Sequence, residues 1–172
     1  MEIHEIFELV PQAAEQLPRG VFLTAGTDVW NPMTIGWGQF GIIWGKPVVT
    51  VMVRKSRYTY ELIEKGDVFT LSVPRTGELA KELAFCGSHS GRDVDKQAKT
   101  GLTRLGAKAG GSDGVAECGT FFECRIVQKL FGELSEMDPE LHARYYASNQ
   151  ALPDGDPHEV YFGEILGAYR KA

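Results

Sequence analysis

The sequence predicts a mainly β protein, an antiparallel barrel of about six strands with a few short helices packed outside it. Three observations carry that expectation. Apolar runs rich in β-branched and aromatic residues recur at 21–27, 33–45, 47–54, 67–74, 120–136 and 158–171. The helix-like segments between them are short, whereas a parallel sheet needs a substantial helix at each crossover. Glycine and proline punctuate the runs, with 20 Gly and 8 Pro in 172 residues, as turns between short strands require.

VFLTAGT (21–27) reads as a strand ending in a turn, and the loop DVWNP follows. MTIGWGQFGIIWG (33–45) is β-branched and aromatic but carries Gly36, Gly38, Gly41 and Gly45. At about 1 kcal/mol each, these glycines disfavour a helix. In a strand they permit bulges or let a flat ligand approach the backbone. PVVTVMVR (47–54) is nearly continuous in apolar character, as in a strand covered on both faces. YTYELIEKG (58–66) is helical, with Tyr58, Leu62 and Ile63 on an apolar side and Gly66 at the stop. DVFTLSVP (67–74) is a strand closed by Pro74.

TGELAKELAFCG (76–87) is a helix with Thr76 as N-cap and Leu79, Leu83 and Cys86 on one side. SHSGRDVDKQAKTG (88–101) is polar and irregular, with a short helix over DVDKQAK, and a glycine-rich stretch runs to 116. TFFECRIVQKLFGELSE (120–136) is a long strand. DPELHARYYASNQ (138–150) is a helix capped by Asp138, with Pro139 in its first turn. HEVYFGEILGAYRK (158–171) is the last strand.

The length suits one domain, residues 1–172. A chain of this size buries roughly 70% of its unfolded surface and needs no disulfide or metal to hold together. A net charge of −5 and a pI near 5.4 argue against a general nucleic-acid binder. No apolar run reaches the ~20 residues that span a bilayer. The start, MEIHEIFELVPQ, lacks the basic and apolar regions of a signal peptide, so a cytoplasmic protein is expected. Cys86, Cys118 and Cys124 are an odd set without CxxC spacing, read as free thiols with no metal site.

VRKSRYT (53–59) crowds Arg54, Lys55, Ser56, Arg57, Tyr58 and Thr59 where a strand ends and a helix begins. One reading is a solvated rim. The other is a phosphate site, in which arginine forks, hydroxyls and a helix N-terminus converge on one anion. Neither a GxxxxGK[ST] loop nor a GxGxxG turn is present. In NPMTIGWGQFGIIWG, accessible backbone, the Thr34 hydroxyl and the broad surfaces of Trp37 and Trp44 suit a flat heteroaromatic ligand, or else an aromatic barrel core with glycine bulges. The two segments are adjacent in sequence, and such strands are often neighbours in space. A planar ring with a phosphate tail, such as flavin mononucleotide (FMN), would fill both.

The order N-x-M-T-x-G-W-G, W-x-K-P, V-R-x-S-R-Y-T, a helix, F-x-x-x-x-P and S-x-S-G-R-D-x-D-K closely resembles the flavin reductase-like, FMN-binding split-barrel family, in particular its flavoredoxin-type members. The resemblance spans roughly residues 18–170. It implies a six-stranded split barrel, a homodimer, and FMN bound near the subunit interface. It places Arg54, Ser56, Arg57 and Thr59 around the phosphate. Met33, Thr34, Gly36 and Trp37 lie beside the isoalloxazine, and Gly87, Ser88, Ser90, Gly91 and Lys96 are in a loop approaching the flavin from the other side. A cation in that loop stabilises charge on the reduced ring, although Lys96 has Asp93 and Asp95 as simpler partners. His158 and His89 are candidates for the pocket but are more readily structural, and Cys86 is more readily a packed thiol.

The implied activity is an NAD(P)H-dependent flavin reductase. No catalytic side chain is assigned, because hydride transfer needs no general base. The alternatives are a flavoredoxin-like carrier that takes electrons from a redox protein, and a non-catalytic barrel for another flat ligand such as haem, with His4, His89, His142 or His158 as axial ligand.

Overall fold

The apolar runs become strands because their branched side chains alternate between a shared interior and a second face. In the computed structural model, which describes residues 2–131, 134–148, 153 and 155–171, the strands are β1 (Val21–Ala25), β2 (Met33–Ile35), β3 (Gly38–Ile43), β4 (Lys46–Arg54), β5 (Val68–Val73), β6 (Arg104–Leu105), β7 (Gly114–Val115), β8 (Thr120–Phe131) and β9 (His158–Arg170). The helices are α1 (Ile3–Phe7), α2 (Val10–Gln16), α3 (Tyr58–Lys65), α4 (Ala80–Ser88), α5 (Lys96–Thr100) and α6 (Pro139–Tyr145).

Seven strands form one antiparallel sheet in the order β2-β1-β5-β8-β9-β4-β3. Its two edges are consecutive in the chain. Only Gly36 and Trp37 separate the end of β2 from the start of β3. Two residues span less than ~10 Å, so the sheet must curl until its edges meet. The result is a barrel with a seam at Gly36–Trp37, where no ladder joins β2 to β3 among the described residues. Register shifts near Glu123/Cys124 and Ile126/Gln128 lie in the long β8–β9 pair, where bulges increase coiling. β3 returns into β4 through Trp44–Gly45, both at positive φ (53° and 71°), as a two-residue hairpin matched to strand twist requires.

The interior holds Leu23, Val49, Val51, Val53, Phe69, Leu71, Phe122 and Tyr161, each at most 1% exposed. A second apolar cluster, including Phe22, Leu83, Cys86, Leu102, Val115 and Phe121, packs α4 and the 101–118 segment onto the outside. That segment is pinned by one buried carboxylate. Glu123, fully buried, accepts hydrogen bonds from the amides of Lys108 (2.7 Å), Ala109 (2.6 Å) and Gly111 (3.0 Å) and from the Tyr169 hydroxyl (2.8 Å).

Several expectations are corrected. The 33–45 run is two strands, because the seam interrupts it. Thr76 does not cap α4: the helix starts at Ala80 after Leu79, whose φ of 57° breaks the helical path. The strand at 120 ends at 131, residues 132–133 lie outside the described residues, and 134–136 form a 3-10 turn. Asp138 does cap α6, accepting from the Glu140 and Leu141 amides, but the helix ends at Tyr145, and residues 149–150 lie outside the described residues. α1, α2 and the β6–β7 pair were not legible as elements. No described helix is long and apolar enough to cross a membrane.

Candidate functional site

The seam and the β4–α3 turn open into two recesses. The first, about 190 Å³, is lined by Met33, Thr34, Ile35, Gly36, Trp37, Met52, Arg54, Arg57 and His158. The second, about 80 Å³, is lined by Asn31, Ser56, Tyr58, Thr59, Cys86, Gly87, His89, Ser90, Gly91 and Lys96, again with Met33, Thr34 and Arg57. The three shared residues make them halves of one cleft.

Strand alternation builds the first half. Val49, Val51 and Val53 point into the barrel, so Met52 and Arg54 fall on the other face, with His158 opposite Arg54 in the register. Trp37, 40% exposed, meets Tyr145 edge-on at 5.1 Å and the His158 ring at 5.1 Å. His158 Nδ1 shares a 2.8 Å hydrogen bond with the Tyr146 hydroxyl. Burial lowers the His158 pKa to about 4, and the Arg54 charge pushes the same way, so the imidazole is neutral near pH 7.

The second half is cationic and hydroxyl-rich. Lys96 is 5% exposed, and its ammonium donates to the carbonyls of Pro32 (2.9 Å) and Cys86 (3.1 Å). Burial draws its pKa below the ordinary lysine value, and Arg57 adds repulsion. Arg57 Nη1 donates to the Gly87 carbonyl at 3.1 Å. Asn31 Nδ2 donates to the buried Thr59 hydroxyl at 2.9 Å. The 88–95 loop is strapped to α3 by Arg92. That residue bonds the Glu61 carboxylate (2.5 and 3.0 Å) and the Ser56 carbonyl (3.1 Å) and lies 5.2 Å over the Tyr58 ring. Gly91 permits this closure, since a Cβ there would sit 2.1 Å from Asn31 Oδ1. The lining holds two basic side chains, Arg57 and Lys96, and no carboxylate.

Most residues singled out from sequence meet in this cleft: Met33, Thr34, Gly36, Trp37, Arg54 and Arg57 in the first half, and Ser56, Thr59, Gly87, Ser90, Gly91 and Lys96 in the second. Ser88 faces elsewhere. Its hydroxyl donates to the Ala84 carbonyl (2.7 Å), and it lines a neighbouring cavity with Gln16 and Leu83 that meets the cleft at Thr34 and Gly87. The three cations of the β4–α3 turn part company. Arg54 donates to the carbonyls of Asp156 (2.5 Å) and Tyr145 (3.0 Å), Lys55 pairs with the buried Glu159 carboxylate (3.0 Å), and Arg57 alone borders both halves. Lys96 bonds carbonyls, while Asp95 caps α5 by accepting from the Ala98 amide.

The Thr34 hydroxyl is committed to the Leu83 carbonyl (2.7 Å). His89 stacks on Phe85 at 4.1 Å, and burial raises the Cys86 thiol to about 11. Asn31, Met52, Tyr146 and Asp156 were missed. Met52 was readable from its two-residue spacing to Arg54. Asp156 gave no signal, being 100 residues from its partner Ser56.

Residues 14–171 match the family described as the flavin reductase like domain. A protein of Archaeoglobus fulgidus is 30% identical over 112 residues, 65% of this chain, and the match spans 62% of that relative, less than two thirds of its length. The flavoredoxin of Methanosarcina acetivorans is 26% identical with a TM-score of 0.64, over 88% of this chain and 68% of that one. The flavoredoxin of Desulfovibrio vulgaris (20%, TM-score 0.66, 88% and 69% covered) and an NADH:FAD oxidoreductase of Streptomyces globisporus (18%, TM-score 0.65, 88% and 75%) share the fold. With its curled antiparallel sheet and a family match over nearly its whole length, the chain is a split barrel that belongs to the flavin reductase-like family.

Proposed function

We propose that this cleft binds FMN and that the protein is an NAD(P)H-dependent flavin reductase-like oxidoreductase, working in the cytoplasm as a homodimer. One observation carries the reading: a recess walled by Trp37, Met52 and His158 beside Arg54, and a recess walled by Ser56, Thr59, Ser90 and Lys96, share Met33, Thr34 and Arg57. That donor set fits a flat ring with an anionic tail. Ser56, Arg57, Thr59 and Ser90 would hold the phosphate, with Gly87 and Gly91 shaping the loop against it. Met33, Gly36 and Trp37 would flank the ring. Bound flavin supplies hydride and electron transfer, which no side chain here provides.

The chain's own residues bind, orient and tune. Arg57 and Lys96 place fixed positive charge in the cleft, which favours an electron-rich ligand. Neutral His158 and Trp37 give the ring half flat, uncharged surface beside Arg54 and Arg57. Beyond Trp37 an apolar cavity of about 760 Å³, bordered by Val10, Leu17, Phe40, Met52 and Val160, continues the wall. In a homodimer a second copy would cover it. A flavoredoxin-like carrier, reduced by a redox protein, is the second reading, favoured by the 26% identity to a flavoredoxin.

The test is the absorption spectrum after FMN addition and removal of excess, followed by aerobic NADH and NADPH oxidation. Turnover with either nucleotide supports the reductase. Retained flavin without turnover selects the carrier. Neither retained flavin nor turnover sinks both.

A further inference from the structure

We propose that Asp156 competes with a ligand's phosphate for Ser56, and so sets the preference between phosphorylated and unphosphorylated flavins. The inference rests on the FMN reading of the cleft and adds the residue that tunes it.

Ser56 lies between β4 and α3 and lines the cationic recess. Both of its donors are spent on one carboxylate: its amide donates to Asp156 Oδ1 (3.2 Å) and its hydroxyl to Asp156 Oδ2 (2.6 Å). Two oxygens of one anion on two donors is the arrangement a phosphate would adopt. The carboxylate is held there from behind. Arg54 donates to the Asp156 carbonyl (2.5 Å) and the Tyr145 carbonyl (3.0 Å) and lies 5.1 Å over the Tyr146 ring. Arg54 therefore fixes the backbone of Asp156 and leaves the side-chain charge to Ser56. Asp156 brings negative charge to a recess whose lining has none.

A phosphate monoester settling on Ser56 must displace this carboxylate or share donors with it. Each course costs affinity, since like charges ~4 Å apart repel by about 1 kcal/mol even in bulk water. Riboflavin carries no phosphate and does not contest Ser56. Arg57 and Lys96 pull phosphate in while Asp156 pushes it out, so FMN is held less firmly than the cations alone would dictate. Such a balance suits a flavin that exchanges.

The experiment measures dissociation constants of FMN, riboflavin and inorganic phosphate for the wild type, Asp156→Asn and Asp156→Ala. Asparagine keeps an acceptor on Ser56 and removes the charge. The expected result is FMN binding on the order of tenfold tighter in both variants, with riboflavin unchanged within about twofold. Adding Ser56→Ala should abolish the gain. FMN affinity equal to or weaker than wild type, or an equal gain for both flavins, overturns the proposal while the FMN reading stands. If the wild type binds neither flavin, inorganic phosphate decides. Tighter phosphate binding by Asp156→Asn upholds the competition and sinks the FMN reading, and phosphate binding unchanged by the substitution overturns both.

Discussion

Protonating His158 should cost this fold a measurable part of its stability. The ring sits between Trp37 and Tyr146 with Arg54 opposite in the ladder, and burial and that cation together depress its pKa to about 4. An unfolded chain holds the same ring near an ordinary value of ~6.5. Because the folded pKa is the lower one, the stabilisation is fully present above the unfolded value. It is lost as pH falls from ~6.5 towards ~4 and levels off below that. Between pH ~7.5 and ~4.5 the single-site loss comes to roughly 2.5 kcal/mol. Urea denaturation of the wild type and of His158→Gln at both pH values isolates it, since carboxylate titrations common to both proteins cancel. The wild type should lose roughly 2.5 kcal/mol more than the variant on acidification. Equal losses, or an imidazole that titrates above ~6 by NMR, would refute the reasoning that this ring is held neutral.

Glu123→Gln leaves at least one of the three amides that the carboxylate accepts from facing an NH2 group, and should lower stability by roughly 3–5 kcal/mol, or on the order of 10 °C in Tm, read by a thermal melt. Arg57→Ala should raise the FMN dissociation constant by roughly 10- to 150-fold, the worth of a charge-assisted hydrogen bond. Riboflavin should be little affected in the same fluorescence titration, and equal losses for both would return Arg57 to a structural role. All three cysteines are buried and their thiol pKa values are raised by burial. A thiol reagent at pH ~8 should therefore react slowly with the native protein and rapidly with all three thiols in denaturant.

The strands were legible because runs dense in Val, Ile and Phe leave a strong local imprint, as in the nearly continuous PVVTVMV. The seam was not, since Gly36 and Trp37 look like part of one glycine-rich strand until the sheet order makes them the link between its edges. The α4 start misled because a threonine cap is a statement about side chains, whereas Leu79 is turned by its backbone. In the site, Ser56, Arg57 and Thr59 were readable as a local anion motif. Arg54 was not separable from them without the alternation that turns it to the other face and onto the carbonyls of Tyr145 and Asp156. Asp156 and Glu159 act on that motif from a distant part of the chain, and no local pattern announces such partners.

The seam at Gly36–Trp37 also bears on how the barrel breathes. Everywhere else around the circumference neighbouring strands are laced by ladder hydrogen bonds, while here, among the described residues, no ladder crosses and the chain itself makes the link. Each lip of the seam is an edge strand paired on one side, so amides of β2 and β3 should take up deuterium ahead of those in β8 and β9. A ligand seated on residues 33–37 bridges that gap like a missing rib. Occupancy should therefore slow exchange on both lips together, including β3 residues that never touch the ligand.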